Sequence, residues 1–357
     1  MSITQKIPEW LTRLGRESGA FEIVTLERER SRPTSIEGVR WDLVAELALK
    51  PFGFPVLLYI EAKDRISPQI ALDLLPRLKV ASTGGIPLLC TTVISSRVAE
   101  MCKDADVCYL DQAGNCRLSA PGLFIFVCGK TTDLGPKISR LNPFSTKSSR
   151  LIRVLLERPD HSWQVQELAA HANVSIGLAS KVKDALVSDA VLRELDRLLQ
   201  LRNPKSLLGE WASHYEPQGE ELSYYVMGKP KAIEEKLGEV CKERGYRYGL
   251  TEFSGAWRAA AMVRYERSAV YLAAGDRPVF LEEFEEGMRA KRVDSGSNLK
   301  VRLAPDDYIF HGSQEKDGIN VVSPVQLYLD LMQLKGRGEE AAKEIYERYL
   351  EPGFSRA

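Results

Sequence analysis

Apolar and polar positions change period along this chain, and the changes divide it into blocks. Residues 5–14 read as a helix. Strand-like runs follow at 21–25, 39–47 and 56–62. A helical spacing over 70–80 places Ile70, Leu72, Leu75 and Leu78 on its apolar side. Then come a strand at 87–93, a helix at 95–102, and short strands at 107–110, 116–118 and 123–128. Strands and helices alternate, which predicts an α/β layer domain with a mixed sheet over residues 1–130.

Residues 131–147 are rich in Pro, Gly, Ser and Thr with no regular period, and read as a linker. A mostly helical block covers 148–203. The third block, 204–357, alternates again, with strands expected at 222–227, 246–250, 269–273, 300–303 and 308–310. Its expected helices lie at 231–244, 255–262, 324–334 and 339–349. The expected fold class is therefore α/β multidomain, ending in a C-terminal α/β domain. No internal repeat or low-complexity tract interrupts this order.

Composition narrows the class without naming a partner. The 357 residues are 44% hydrophobic and 27% charged, values of an ordinary globular chain. Lys+Arg and Asp+Glu both number 49, so any basic face is balanced by an acidic one elsewhere. No uncharged apolar run is long enough to span a bilayer, and the opening residues lack the apolar core of a secretory signal. These features predict a cytoplasmic protein with no membrane partner and six reduced cysteines. The four histidines are scattered and no Cys-x-x-Cys occurs, which argues against a zinc site.

The helical block has the order of a winged helix-turn-helix. Helices are expected at 149–158, 165–171 and 175–186, with Leu178, Val182 and Leu186 turned inward from the third. Leu192 to Leu201 can fold as a hairpin around Asp196-Arg197. A helix fits the major groove of duplex DNA, and small polar and basic side chains on its outer face reach base edges and phosphates. Ser175, Ser180, Lys181, Lys183, Arg193 and Arg197 are the expected DNA contacts. The same block could instead serve only for protein packing, because Asp184, Asp189, Glu194 and Asp196 offset its cations. Helix-turn-helix proteins often bind DNA as symmetric dimers, so a homodimer is expected.

A second set of residues points to different chemistry. Asp42 lies in one strand-like run, and Glu61 and Lys63 lie in the next, after Pro51-Phe-Gly-Phe-Pro55. An antiparallel hairpin about Pro51–Phe52 would set Asp42 opposite Glu61, with Lys63 on the same face two residues on. Two carboxylates can hold Mg²⁺ through oxygen. The metal would activate water on a phosphodiester, and lysine could stabilise developing charge. This is the PD-(D/E)XK nuclease pattern, which predicts a restriction-endonuclease-like sheet, with Asp42, Glu61 and Lys63 catalytic and Asp42 and Glu61 holding metal if the site is active. Gln69, opening the next helix, could line it. The plainer alternatives are a Glu61–Lys63 salt bridge at a strand end, or the fold retained without activity. Without cleavage no cofactor is expected.

Three segments resemble a known family. Val107 to Leu118, containing Tyr109-Leu-Asp-Gln-Ala-Gly-Asn115, followed by Leu123 to Gly129, is similar to a Y-x-D-x-x-G-N hairpin of AbiEi-like proteins. Asn142 to Pro159 resembles that family's entry into its winged helix. Val321 to Leu331 and Gly336 to Ala342 resemble its C-terminal signature. The resemblance implies a bacterial DNA-binding transcriptional regulator or antitoxin of a type IV toxin–antitoxin system, with duplex DNA and a cognate toxin as partners. It implies no nuclease activity.

Three further patterns have plain explanations. Asp111 and Asn115 suit hairpin-turn chemistry, with a second acidic contact near Asp42 as the alternative. Gly336-Arg-Gly-Glu-Glu-Ala follows a helix rather than a strand, so it does not read as a dinucleotide loop. Trp257, Arg258, Arg264, Tyr265 and Arg267 could stack on bases, though core packing with surface arginines explains them more simply.

Overall fold

The computed structural model describes residues 2–27, 40–51, 53–82, 84–130, 142–261, 264–273 and 277–355. The chain divides into two compact units, Met1–Arg140 with Asp184–Ala190, and Leu141–Lys183 with Val191–Ala357. The helical block expected at 148–203 therefore does not stand as a unit of its own. Most of the expected linker, residues 131–141, lies outside the described residues.

The first unit opens with α1 (Ile3–Ser18). Ser2 and Gln5 form a capping box at its start, and Gly19, at φ 66°, ends it in the left-handed conformation. There follow β1 (Phe21–Glu27), β2 (Leu43–Leu49), β3 (Phe54–Lys63), α2 (Pro68–Ala81), β4 (Ile86–Thr91), α3 (Ser96–Asp104), β5 (Cys108–Asp111), β6 (Cys116–Ala120) and β7 (Leu123–Val127). The seven strands lie side by side in chain order. β1, β2 and β3 are antiparallel, the β3–β4 and β4–β5 pairs are parallel, and β5, β6 and β7 are antiparallel again. The parallel pairs are those that α2 and α3 join, as parallel strands require a crossover.

Side-chain alternation sorts the central strands between two cores. Ile60, Leu88, Cys90, Cys108 and Leu110 pack in one cluster with Ile7, Trp10 and Leu11 of α1. Leu89 and Tyr109 pack in the other with Leu75 and Leu78 of α2 and Val98 of α3. The buried stripe of α2 is Pro68, Ala71, Leu75 and Leu78; Ile70, expected inward, is exposed. The helix begins at Pro68 behind the Ser67 cap, and this phase turns Ile70 outward. All six cysteines are free thiols, five of them buried.

The second unit continues with α4 (Ser149–Glu157), α5 (Val165–His171), α6 (Ile176–Ser188, of which the part from Asp184 on is grouped with the first unit), β8 (Leu192–Leu195), β9 (Leu198–Leu201) and α7 (Pro204–His214). Then come β10 (Glu221–Tyr225), α8 (Pro230–Arg244), β11 (Tyr248–Thr251), α9 (Glu252–Ala260), β12 (Ser268–Ala273), α10 (Arg277–Met288), β13 (Lys291–Arg292) and β14 (Leu299–Ala304). The chain closes with β15 (Gln314–Lys316), β16 (Ile319–Val321), α11 (Pro324–Met332), α12 (Arg337–Ile345) and α13 (Glu351–Phe354). A mixed sheet runs in the order β13-β10-β14-β12-β11-β16-β15. Residues 308–310, expected as a strand, belong to a 3-10 turn, Asp307–Phe310. Asp306 caps that turn by accepting from Tyr308 N at 2.8 Å, and this local bond competes with extension.

Buried polar groups stitch this unit together. Asp330 is 2% exposed and accepts four hydrogen bonds. Tyr215 Oη, Tyr271 Oη and Gln326 Nε2 each donate to its Oδ1 at 2.9 Å, and Thr251 Oγ1 donates to Oδ2 at 2.5 Å. Glu234 is fully buried and accepts from Arg258 Nε (2.9 Å), Tyr265 Oη (2.6 Å) and Ser268 Oγ (2.9 Å). Arg258 and Tyr265 thus turn inward to an acid, whereas Trp257 is exposed, so the expected split of core aromatics and surface arginines does not hold for Trp257 and Arg258.

Removing a buried carboxylate that satisfies several donors leaves them all unpaired. We expect Asp330→Ala to lower unfolding stability by about 1–3 kcal/mol or more, the cost of leaving buried donors unpaired, read from urea denaturation. A loss under about 1 kcal/mol would contradict this role.

Candidate functional sites

The β2–β3 hairpin sets the acidic cluster. Its register pairs Leu43 with Ile60, so Asp42, one residue earlier, falls opposite Glu61. Asp42 extends the ladder, its backbone N–H donating to Ile60 O at 3.0 Å. Asp42 Oδ2 accepts from Ala62 N at 2.8 Å. Lys63 Nζ lies 2.6 Å from Glu61 Oε1. Burial pushes the Glu61 carboxyl up; Lys63 draws it back down, and the nearby Asp42 charge raises it further. Lys63 is held above its ordinary value chiefly by its hydrogen bond to Glu61. Asp42 and Lys63 are thus close enough to Glu61 to shift its protonation. Gln69 stands second in α2, and its Oε1 is buried with no hydrogen-bond partner among the described residues. No group of three or more His, Cys, Asp or Glu side chains that could hold a metal occurs among the described residues. Asp42 and Glu61 remain a two-carboxylate oxygen set, which suits Mg²⁺ because that ion retains several waters.

Asp111 is occupied locally. Its Oδ1 accepts from Asn115 N at 2.8 Å, and its Oδ2 accepts from Asn115 Nδ2 at 2.9 Å and Ile94 N at 3.4 Å. Asn115 in turn exchanges two 2.8 Å bonds with the backbone of Lys130. With Gly114 at φ 92°, the D-x-x-G-N run closes the β5–β6 turn and ties down the chain after β7. The turn-chemistry explanation therefore accounts for both residues.

The second site is built on α4, α5, α6 and the β8–β9 hairpin. α5 ends in a Schellman arrangement: Asn173, at φ 50°, donates to Ala170 O, and Val174 N donates to Ala169 O. Ser175 then caps α6, its Oγ accepting from Leu178 N at 3.3 Å. Ala179, Val182 and Leu186 are buried, with Leu178 half-buried beside them. The hairpin turns at Asp196 (φ 50°) and Arg197 (φ 65°), a two-residue turn of the twist that matches paired strands. Trp163 adds a short antiparallel bridge to Leu199, through bonds of 2.9 and 2.8 Å.

The six expected contact residues separate in this arrangement. Ser175, Lys181, Arg193 and Arg197 are exposed, and Ser180 is half-buried. Lys183 is turned to the hairpin, with Nζ 3.1 Å from Glu194 Oε2. Ile176, which residue type alone did not single out, is 56% exposed at the first position of α6. An apolar side chain there could meet a thymine methyl. α7 was also missed, although Asn203-Pro204 is a legible start: Asn203 Oδ1 accepts from Ser206 N at 2.9 Å and Pro204 opens the helix.

Comparison with known proteins addresses the C-terminal part. Residues 200–351 match a family model described as transcriptional regulator, AbiEi antitoxin, type IV TA system. The AbiEi-like stretch begins inside β9 and takes in the whole C-terminal mixed sheet, but neither α4–α6 nor the acidic cluster. No curated protein and no solved structure matches the chain.

The protonation of Glu61 tests the acidic cluster. Its midpoint should lie above the ordinary 4.5. Lys63→Met should move it higher and Asp42→Asn lower, as followed by carboxyl carbon NMR. Because its folded value is raised, Glu61 favours the folded state most below pH 4.5, and that contribution is lost as pH rises through the folded midpoint. Shifts of the same sign in both variants would place the groups apart.

Proposed function

We propose that this chain is a transcriptional regulator of the antitoxin type that binds duplex DNA without catalysing a reaction. In this reading α4, α5, α6 and the β8–β9 hairpin work as a winged helix-turn-helix. α6 enters the major groove and the hairpin lies along the backbone. The observation that carries it is the common exposure of Lys181 on α6 and Arg193 and Arg197 on the hairpin. The adjoining AbiEi-like match supports the regulatory class. A homodimer, a cognate toxin and a cytoplasmic setting belong to the same proposal.

Charge placement ranks the contacts. Each cation that neutralises a phosphate adds roughly 0.9 to the salt slope of binding. A Lys181→Ala, Arg193→Ala, Arg197→Ala triple variant should lower that slope by about two to three and weaken binding at 150 mM salt. Lys183→Ala should cost less, since Lys183 is already tied to Glu194. The check is fluorescence anisotropy on a duplex from the protein's own promoter across a salt series. An unchanged slope in the triple variant would end this assignment.

One observation favours a second reading. Asp42, just before β2, stands opposite Glu61 of β3, and Lys63 of β3 is bonded to Glu61, within an α-β-β-β-α-β order. This supports a PD-(D/E)XK-like endonuclease, with Asp42 and Glu61 holding Mg²⁺. The ion would polarise the phosphodiester and lower the pKa of a bound water. Lys63 would stabilise charge developing on the phosphate. Supercoiled plasmid incubated with Mg²⁺ or Mn²⁺ decides between the readings. Nicking that disappears in Lys63→Ala would establish the enzyme; intact plasmid from protein that still shifts DNA would leave the regulator.

A further inference from the structure

A cavity of about 280 Å³ opens beside α4. Arg150 and Arg153 line it from α4, with Phe144, Trp211, Tyr215 and Tyr308 around them. Arg153 is 5% exposed. Its Nη2 donates to Gln326 Oε1 at 2.5 Å and its Nη1 to Ser323 Oγ at 3.3 Å, and its guanidinium lies 5.3 Å from the Trp211 ring centre. Both hydrogen-bond partners are neutral. A guanidinium carries five N–H donors, so several remain unused.

The acids nearby lie in other contacts. Asp306 pairs with Arg150, and Glu157, one turn along α4 from Arg153, has its Oε2 3.1 Å from His311 Nε2. Asp330 is separated from Arg153 by Gln326 and already accepts four bonds. Glu216 is exposed at the rim. Arg150 donates to Asp306 and to Asn173 O, and its Nε is buried with no partner among the described residues. The cavity therefore presents one buried cation, Arg153, with no ion-pair partner among the described residues, beside a second cation, Arg150, that is paired with Asp306. A buried charge without a counter-charge costs several kcal/mol, and an anion in the cavity would remove that cost.

Size and walls narrow the anion. At about 280 Å³ the cavity has room for a body of benzoate size. Trp211, Phe144 and Tyr308 offer aromatic surface, which favours a flat apolar body with one charged end. We infer that this cavity binds a small aromatic carboxylate of about benzoate size, its carboxylate on Arg153 within the field of Arg150 and its ring against the aromatic wall. The occupant would bridge α4 and α7, so it would regulate how α4 is held. The binding claim does not depend on the DNA reading.

The test uses the full chain without DNA. Benzoate is titrated by calorimetry, beside benzamide as its neutral isostere, acetate as the bare carboxylate, and inorganic phosphate. Benzoate should bind one to one, at least tenfold tighter than each of the other three. Arg153→Met should reduce that affinity tenfold or more. If that variant does not fold, Arg150→Met, at a less buried position, should weaken benzoate several-fold while leaving benzamide unchanged. Equal binding of benzoate and benzamide would overturn the proposal. So would stronger binding of phosphate, or benzoate affinity that survives in the folded variants.

Discussion

The second unit depends on one buried carboxylate. Asp330 sits on α11 where water does not reach, and a charge there is tolerated only while donors surround it. Its donors come from the end of α7 (Tyr215), the end of β11 (Thr251), β12 (Tyr271) and its own helix (Gln326). Three other pieces of chain are thereby fixed against α11 by directional bonds rather than by apolar contact alone. Gln326 passes the arrangement on, donating to Asp330 while accepting from Arg153 of α4. Tyr271 also accepts from Arg302, which pairs with Glu221. The helix that opens the proposed DNA-binding block is thus held by the polar interior of the C-terminal sheet.

The order of elements in the first unit was legible because its strands are short, local and bounded by turn residues. The β2–β3 register was legible for the same reason: a hairpin fixes its register from its turn, so Asp42 opposite Glu61 followed from counting. The Asp196-Arg197 turn followed likewise. Failures came where a local polar bond outweighs apolar pattern, as at Asp306 ahead of the 3-10 turn, or where a cap sets helix phase, as at Ser67 ahead of α2. The Asp330 network was not legible at all. Gln326 and Arg153 are 173 positions apart, and no local period joins them.

The comparison and the sequence reading are complementary in their reach. The AbiEi-like match covers residues 200–351, where strand and helix signals are weakest and long-range polar contacts hold the fold. The acidic cluster and the helical block, where spacing is most informative, lie outside it. The D-x-x-G-N run shows why a motif needs its geometry. Asp111 looks available in sequence, yet three donors from its own loop and the neighbouring strand end occupy its oxygens.

The tip of the β8–β9 hairpin carries an unusual choice. Both of its turn residues adopt left-handed backbone, and neither is glycine. That conformation costs a side-chain-bearing residue on the order of 1–2 kcal/mol, and Asn-Gly would relieve most of it. A chain shaped only for thermal endurance would place Asn-Gly there and lose the guanidinium of Arg197. The hairpin instead carries a cation at its outermost point, at the expense of backbone ease. That places a reserve of untapped stability at the tip of the hairpin, where adding it would remove a cation the proposed DNA-binding face relies on.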